Sequence, residues 1–360
     1  MKAAVLSQSG HPLEVREVPD PKLYPSSVRV RVLATHVLSF TDLVFGGQLP
    51  FPTPTPYIPG LCAIGRVEEV ADDVFDVHVG QKVFCSPLIT ARNNAETPER
   101  ILKGWIGMTP NCEGLLTQWK DGTFAEQAVF PLECITPIDN LGDYDDAQLA
   151  HMYYLSIAYG AFLRGEFAPG QSILITGATG NLGTASALVA LAMGASTVYV
   201  AGRNASVIQA LTNLHPQRVI GVTLPEDTDA YSSTLAHAVG PVDMFLDAVG
   251  ITEDSSLVTA GISLLKQGGT AVFLGGVVSD VPLSYLLTLV KELTIKGSSM
   301  YPQDAPAHIA RMIEAGLLNL RVFQPKTYPL SLINEAITTA SNCKGLDYCI
   351  LQPQSSLERI

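Results

Sequence analysis

Residues 172–206 read SILITGATGNLGTASALVALAMGASTVYVAGRNAS, and this stretch decides the fold. The apolar run SILIT predicts a buried strand that leads directly into Gly177, Gly180 and Gly183. A helix-forming segment continues to Gly194, and a second apolar run, TVYVA, ends at Gly202-Arg203. Strand, glycine turn, helix and strand in that order make the first βαβ unit of a dinucleotide-binding fold. Glycines let the backbone turn sharply and approach a pyrophosphate, while the next helix directs its free N–H groups and positive dipole end at that anion. Gly177, Ala178, Thr179, Gly180, Asn181 and Leu182 are therefore the expected phosphate-binding residues.

The end of the second strand selects between nicotinamide dinucleotides. An NAD site needs a carboxylate there for the ribose 2′-OH, whereas this chain offers Gly202-Arg203-Asn204 with Ser206 beyond. No acid stands there to repel a 2′-phosphate, and Arg203 can pair with one through its planar fork. NADP(H) is the expected cofactor, set against the plainer reading of Arg203 as a solvated surface arginine.

Downstream, RVIGV (218–222), VDMFLDAVG (242–250), TAVFLGG (270–276) and ELTIKGS (292–298) alternate with helical stretches near 254–265 and 282–290. About six strands in that alternation predict an α/β fold with a doubly wound parallel Rossmann sheet. Ligands lie at the carboxyl ends of such strands, so Ala248, Val249, Leu274, Gly275, Gly276, Ser298 and Ser299 are expected to line the nicotinamide side. Upstream of residue 150 the chain holds short β signals (AAVL, LEVREV, VRVRVLA, AIGRVEEV, QKVFC, FAEQAVF) punctuated by Gly and Pro, which predicts a compact, mostly β domain. Residues 86–121 lack periodicity and read as an excursion with a helix at ETPERILKGW. The last stretch predicts two helices (APAHIARMIEAGLL and SLINEAITTA) and a closing strand, DYCILQP.

The 360 residues are enough for two domains at roughly 100–200 residues each. With a net charge of −12 and no basic run, no nucleic-acid partner is expected. No apolar stretch reaches the roughly 18 residues of a membrane span, and MKAAVL lacks the features of a secretory signal, so a cytoplasmic protein without membrane partners is expected. Six cysteines without a CxxC pair predict free, buried thiols and no closed structural zinc site.

Several short stretches share their order and spacing with one family. They are MKAAVL, Thr41-Asp42, Ile58-Pro59-Gly60, Gly65-Arg66-Val67, Val79-Gly80-Gln81-Lys82-Val83, Gly122-Thr123-Phe124-Ala125-Glu126, the turn Gly177–Gly183, and Asp247-Ala248-Val249-Gly250. Together they resemble the medium-chain dehydrogenase/reductase superfamily over essentially the whole chain. The resemblance implies a GroES-like catalytic domain from residues 1–150 and 301–360, a Rossmann domain from 151–300, and a homodimer joined edge to edge through the Rossmann sheets. It also shows departures. Zinc-type members take a ligand two residues before the Thr-Asp pair, where this chain has Ser39. They take a His after Pro-Gly, here Leu61 and then Cys62, and a Cys that falls by spacing at Tyr153. Their four structural cysteines after Val83 are reduced here to Cys85 and Cys112. Leucine cannot bind zinc, and neutral Ser and Tyr are poor replacements for thiolate. The chain thus resembles the zinc-free branch of quinone oxidoreductases and enoyl reductases, and no metal is expected.

Without zinc, a carbonyl must be polarised by hydrogen-bond donors or by the cofactor itself. Hydride delivered to a bare ketone leaves a localised alkoxide; delivered to the β-carbon of an enone, it leaves a delocalised enolate that neutral donors can stabilise. An NADPH-dependent reductase of an α,β-unsaturated carbonyl or quinone is the expectation. The alternatives are a metal-free alcohol dehydrogenase or ketone reductase, and a cofactor-binding sensor without turnover. The candidate catalytic residues are Thr41, Tyr153 and Ser39, with Tyr154 and Cys62 as neighbours. Thr41 matches the family's proton-relaying hydroxyl, and its structural alternative is to cap the helix starting at Asp42. Cys62 reads as a small buried hydrophobe, and His36 and His151 as satisfied core histidines. Phe45, Phe51, Trp105 and Met108 are expected to close over a small-molecule substrate, with room for a bulky apolar one.

Overall fold

The computed structural model describes residues 1–48 and 53–354, so Phe51 lies outside the described residues. Two β-sheets organise the chain, and they are of opposite kinds.

The first is parallel throughout. Its six strands lie in the spatial order Val219–Thr223, Thr197–Gly202, Ser172–Thr176, Val242–Asp247, Leu265–Phe273 and Thr294–Gly297. In sequence order this is 3-2-1-4-5-6, with the reversal falling between Ser172–Thr176 and Val242–Asp247. Both sheet faces are covered, which explains why these central strands are continuous apolar runs: Ile173, Leu174, Ile175, Phe245 and Leu246 are fully buried. A crevice opens at such a reversal, beyond the carboxyl ends of the strands.

The second sheet has seven strands and is mostly antiparallel, and together the two make a mixed α/β protein. Its spine is the strand Ser27–Val37. Val28, Val30 and Val32 point inward in strict alternation; from Ala34 to Val37 every residue is buried, because there the strand runs into the junction with the parallel sheet's domain. The chain's end returns to this sheet: Asp347–Gln352 pairs antiparallel with Ser27–Val37 and parallel with Gln324–Pro329. The sequence patterns did not disclose Gln324–Pro329 as a strand, since two prolines and three polar residues hide its alternation.

The segment ETPERILKGW is not a helix. Arg100–Leu102 is a strand in a small three-stranded sheet with Leu88–Thr90 and Ile106–Gly107. Pro98 disfavours helix at the residue before it, and pairing buries Ile101 completely, an outcome that local helix propensity cannot anticipate.

A buried helix, Met152–Arg164, links the halves and packs against the helices Asn181–Ala192 and Ala305–Glu314. All its residues from Met152 to Phe162 are buried. Gly160 has a steric reason: a β-carbon there would lie 2.6 Å from the Met300 carbonyl oxygen and 2.8 Å from Tyr301 Cα. Among the described residues no helix is long and apolar enough to cross a membrane.

Candidate active site

The glycine turn connects Ser172–Thr176 to the helix Asn181–Ala192, at the reversal of strand order. Its three glycines are present for different reasons. Gly177 has φ +67, and a β-carbon there would fall 2.4 Å from the Ala248 carbonyl oxygen. A β-carbon at Gly183 would meet the Gly177 oxygen at 2.3 Å. Those two are demanded by the protein's own backbone. At Gly180 the nearest atom would be 3.5 Å away, an ordinary contact. The fold tolerates a methyl group there, so the bare backbone at Gly180 leaves room for something outside the chain. Gly180 is also the N-cap of the helix and offers no side-chain oxygen to its first N–H groups. The turn fits the pyrophosphate of a dinucleotide.

Asn181 does not face that space. Its buried amide donates to the carbonyls of Gly345 (3.0 Å) and Asp347 (2.7 Å), while the Gly345 N–H donates to the Thr179 carbonyl (2.8 Å). The C-terminal segment thus holds the turn in place. At the end of the second strand, Asn204 caps the next helix by accepting from the Val207 N–H. Arg203 is exposed and forms no ion pair among the described residues, which leaves its guanidinium available. Across the crevice, Asp247 is buried and accepts from the Thr176 hydroxyl and the Val249 N–H, each at 3.2 Å. Burial holds its carboxyl above the usual range, against the backbone and hydroxyl donors that lower it. With no cation beside it, Asp247 ties together the strand ends from which Ala248, Val249, Leu274, Gly275 and Gly276 project; Leu274 N–H bonds to its carbonyl and Gly276 N–H to that of Val249. The Ser298 N–H continues the ladder to Phe273, and Ser299 lies exposed beside it.

The second part of the site is made of hydroxyls. Thr41 opens the short helix Thr41–Phe45, is 1% exposed, and its hydroxyl has no hydrogen-bond partner among the described residues. The capping role is not realised: Phe40 occupies the N-cap position, with no side-chain bond. A buried unpaired hydroxyl costs about 1–3 kcal/mol, so this one is poised for a partner from outside. Ser39 stands two residues before it, partly buried. Val44 and Phe45 share one core with Leu61, Cys62, Trp105, Tyr153 and Tyr154, and Met108 packs on its margin. Trp105 and Phe45 contact each other with ring centroids 5.3 Å apart.

Cys62 lies close enough to Tyr153, Tyr154 and Tyr301 to add to the upward shift of each, and Tyr154 and Tyr301 add to that of Tyr153. Burial pushes all three phenols up and the Cys62 thiol to about 12, so each is a neutral donor at ordinary pH. Tyr301 and Ser86 hydrogen-bond at 3.0 Å. Sequence reasoning missed both residues; the one available signal was the position of Tyr301 just past the Ser298-Ser299 strand end. No hydrogen bond joins Thr41 to Tyr153 among the described residues.

His36 and His151 are fully within the core, their rings 5.7 Å apart, and both are surrounded by Tyr154 and Tyr348, with Phe323 3.9 Å from His151. The expectation of satisfied histidines needs correcting, since neither ring nitrogen of either residue has a partner among the described residues. Burial lowers His36 to about 3 and holds His151 well below its ordinary value, with His36 itself adding to the second shift.

The zinc-type ligand positions do not fit a metal. Leu61 is apolar and 1% exposed, the Cys62 thiol is protonated in an apolar core, and Ser39 and Tyr153 are neutral. Among the described residues no group of three or more His, Cys, Asp or Glu could hold a metal ion.

Comparison with known proteins places these features in context. Residues 24–140 match the family model described as alcohol dehydrogenase GroES-like domain, and residues 182–315 match the model described as zinc-binding dehydrogenase. L-galactonate-5-dehydrogenase of Escherichia coli (strain K12) is 25% identical over 89% of this chain and 89% of its own. Acryloyl-coenzyme A reductase of Sulfurisphaera tokodaii is 28% identical over 85% of this chain and 86% of its own. A solved structure of a zinc-binding dehydrogenase from Sinorhizobium meliloti 1021, bound to NADP, superposes with a TM-score of 0.78 at 22% identity, covering 98% of this chain and 99% of that one.

Proposed function

Because the chain belongs to the medium-chain dehydrogenase/reductase superfamily, a family of oxidoreductases, we propose that it is a zinc-independent, NADPH-dependent reductase of an α,β-unsaturated carbonyl or a quinone. One observation carries this reading: a buried Thr41 hydroxyl without a partner among the described residues, and neutral phenols, stand where a metal would need ionised or imidazole ligands.

A bound nicotinamide supplies the hydride, and all else falls to the chain. Gly180 and the first turn of the helix Asn181–Ala192 hold the pyrophosphate. Arg203 holds the 2′-phosphate through charge-assisted bonds. Thr41 and Tyr153 donate to the substrate oxygen as negative charge grows on it, with Ser39 beside them. Neutral hydroxyls match a charge spread over an enolate better than the concentrated charge of an alkoxide. The name of the S. tokodaii relative is that of a conjugated-acyl reductase, which supports this class. Trp105, Phe45 and Met108 exclude water and suit a bulky apolar substrate.

A second copy of the chain is the expected partner. The edge strand Thr294–Gly297 is flanked by the helix Tyr285–Lys291, whose Tyr285, Leu286, Leu289 and Val290 are 81, 67, 59 and 64% exposed.

The test is consumption of NADPH and of NADH with an enone, a quinone and a ketone, on protein whose metal content has been measured. Turnover of enone or quinone by metal-free protein, faster with NADPH, is expected. Stoichiometric zinc whose removal abolishes turnover, or oxidation with the ketone alone, would overturn the reading.

A further inference from the structure

The helix Ile333–Asn342 ends at Cys343, and the chain then turns back into the strand Asp347–Gln352, which carries Cys349. The two sulfurs lie 3.6 Å apart, both in thiol form, with Cys343 5% exposed and Cys349 fully buried. Lys326 sits directly opposite Cys349 on the neighbouring strand, where its ammonium pairs with Asp347 at 3.3 Å and is close enough to feel both sulfurs. A thiol pair beside a cation is the setting in which a thiolate becomes available. The residues between the cysteines are those that fasten the glycine turn: Gly345 bonds to Thr179, and Gly345 and Asp347 both accept from Asn181.

We infer that Cys343 and Cys349 are a reversible oxidation site whose disulfide loosens the phosphate-binding turn and weakens dinucleotide binding. The inference deepens the cofactor reading above and rests on it. Its geometric basis is an unequal freedom to move. A disulfide needs its sulfurs about 2.05 Å apart, so the pair must close by more than an ångström. Cys349 is held in the ladder on both sides, against Val37 and Lys326. The displacement therefore falls on Cys343 and on residues 344–346, where Gly345 carries the contact to Thr179 and one of the two to Asn181.

The order of steps follows from access. Cys343, just past the helix end, is 5% exposed while Cys349 is fully buried inside the strand, so an oxidant meets Cys343 first; burial and the adjacent Cys343 sulfur push the Cys349 thiol up to about 12. With a small-molecule disulfide as oxidant, the Cys343 thiolate attacks one sulfur, forms a mixed disulfide and expels one thiolate. The Cys349 sulfur then attacks Cys343, breaks that mixed bond and expels the second thiolate, giving its proton to solvent. Two protein thiols are oxidised and one external disulfide is reduced to two thiols.

The experiment treats the whole protein with oxidised glutathione and reads three quantities. Trypsin cuts after Lys344, so the disulfide would link two peptides that are otherwise separate. Expected results are that linked pair, faster amide exchange across residues 177–184, and an NADPH dissociation constant raised about three- to tenfold, as the loss of one or two hydrogen bonds allows. Dithiothreitol should reverse all three. Cys349→Ser should give glutathione on Cys343 with no linked pair. Absence of the linked pair in the unaltered protein, or a linked pair with unchanged exchange and affinity, would overturn the inference. Failure of the reduced protein to bind NADPH or NADH would instead sink the cofactor reading, and exchange across 177–184 would still judge the disulfide.

Discussion

The glycine turn and the hydroxyl cluster around Thr41 are built from different materials. At residues 177–183, the proposed dinucleotide site, backbone sets the geometry: two glycines are fixed by backbone atoms that a β-carbon would strike, and at the third the nearest atom would be an ordinary contact away. The proposed substrate site around Thr41 and Tyr153 is instead made of side chains drawn from distant parts of the chain, namely the short helix Thr41–Phe45, the helix Met152–Arg164, Ser86 and Tyr301. Backbone recognition depends on local geometry and appears as a motif. Side-chain recognition depends on convergence, and its residue types also occur throughout the core.

Substitutions can separate the two. The largest effect is expected from Thr41→Val, which keeps the shape and removes the unpaired hydroxyl. Loss of one such donor should lower kcat about 10²–10³-fold while the NADPH dissociation constant stays unchanged in a fluorescence titration. A parallel loss of NADPH binding would mean that the two regions are not separable. Arg203→Ala should weaken NADPH about 10–100-fold, through loss of charge-assisted bonds worth about 1.5–3 kcal/mol, and leave NADH nearly untouched. Equal weakening of both would return Arg203 to the role of a surface residue.

The turn itself supplies a contrast between neighbours. Gly183→Ala should cost about 1–3 kcal/mol in urea denaturation, because its β-carbon would overlap the Gly177 carbonyl. Gly180→Ala should leave stability within about 0.5 kcal/mol and act on dinucleotide affinity alone. Comparable stability losses at both positions would remove the argument that Gly180 is kept for a ligand.

The smallest expected effect concerns the histidines behind the hydroxyl pocket. His36 titrates from 6.5 in the unfolded chain to about 3 when folded, so the unfolded state binds the extra proton between those values. Its contribution is complete above pH 6.5 and is lost as pH falls, by about 1.4 kcal/mol per unit. Between pH 6.5 and 5 the unaltered protein should therefore lose about 2 kcal/mol more than His36→Phe. Identical pH profiles for the two would contradict the burial of an unpaired ring.

Much of the fold was legible from periodicity and punctuation. The parallel strands were readable because both of their faces are covered, and Ser27–Val37 because half of it alternates. Gln324–Pro329 escaped because its prolines and polar residues carry no alternation, and the ETPERILKGW segment misled because its local pattern yields to pairing with Leu88–Thr90. In the proposed site, Thr41 and Tyr153 could be named through the family resemblance, whereas nothing in the chain's order joined Ser86 to Tyr301 or Cys343 to Cys349 as neighbours.

By itself, the sequence determined the dinucleotide-binding unit, the division into a β-rich and an α/β half, and the absence of zinc-type residues at three positions. Those properties are local: a positive φ, an apolar run or a missing ligand type is present in the residue itself. Tertiary structure alone decided that Asn181 faces the C-terminal segment, and that among the described residues the Thr41 hydroxyl and two histidines in an aromatic core have no partner. Each of these depends on which distant groups occupy the few ångströms around an atom, and hydrogen bonding and desolvation are set at that range.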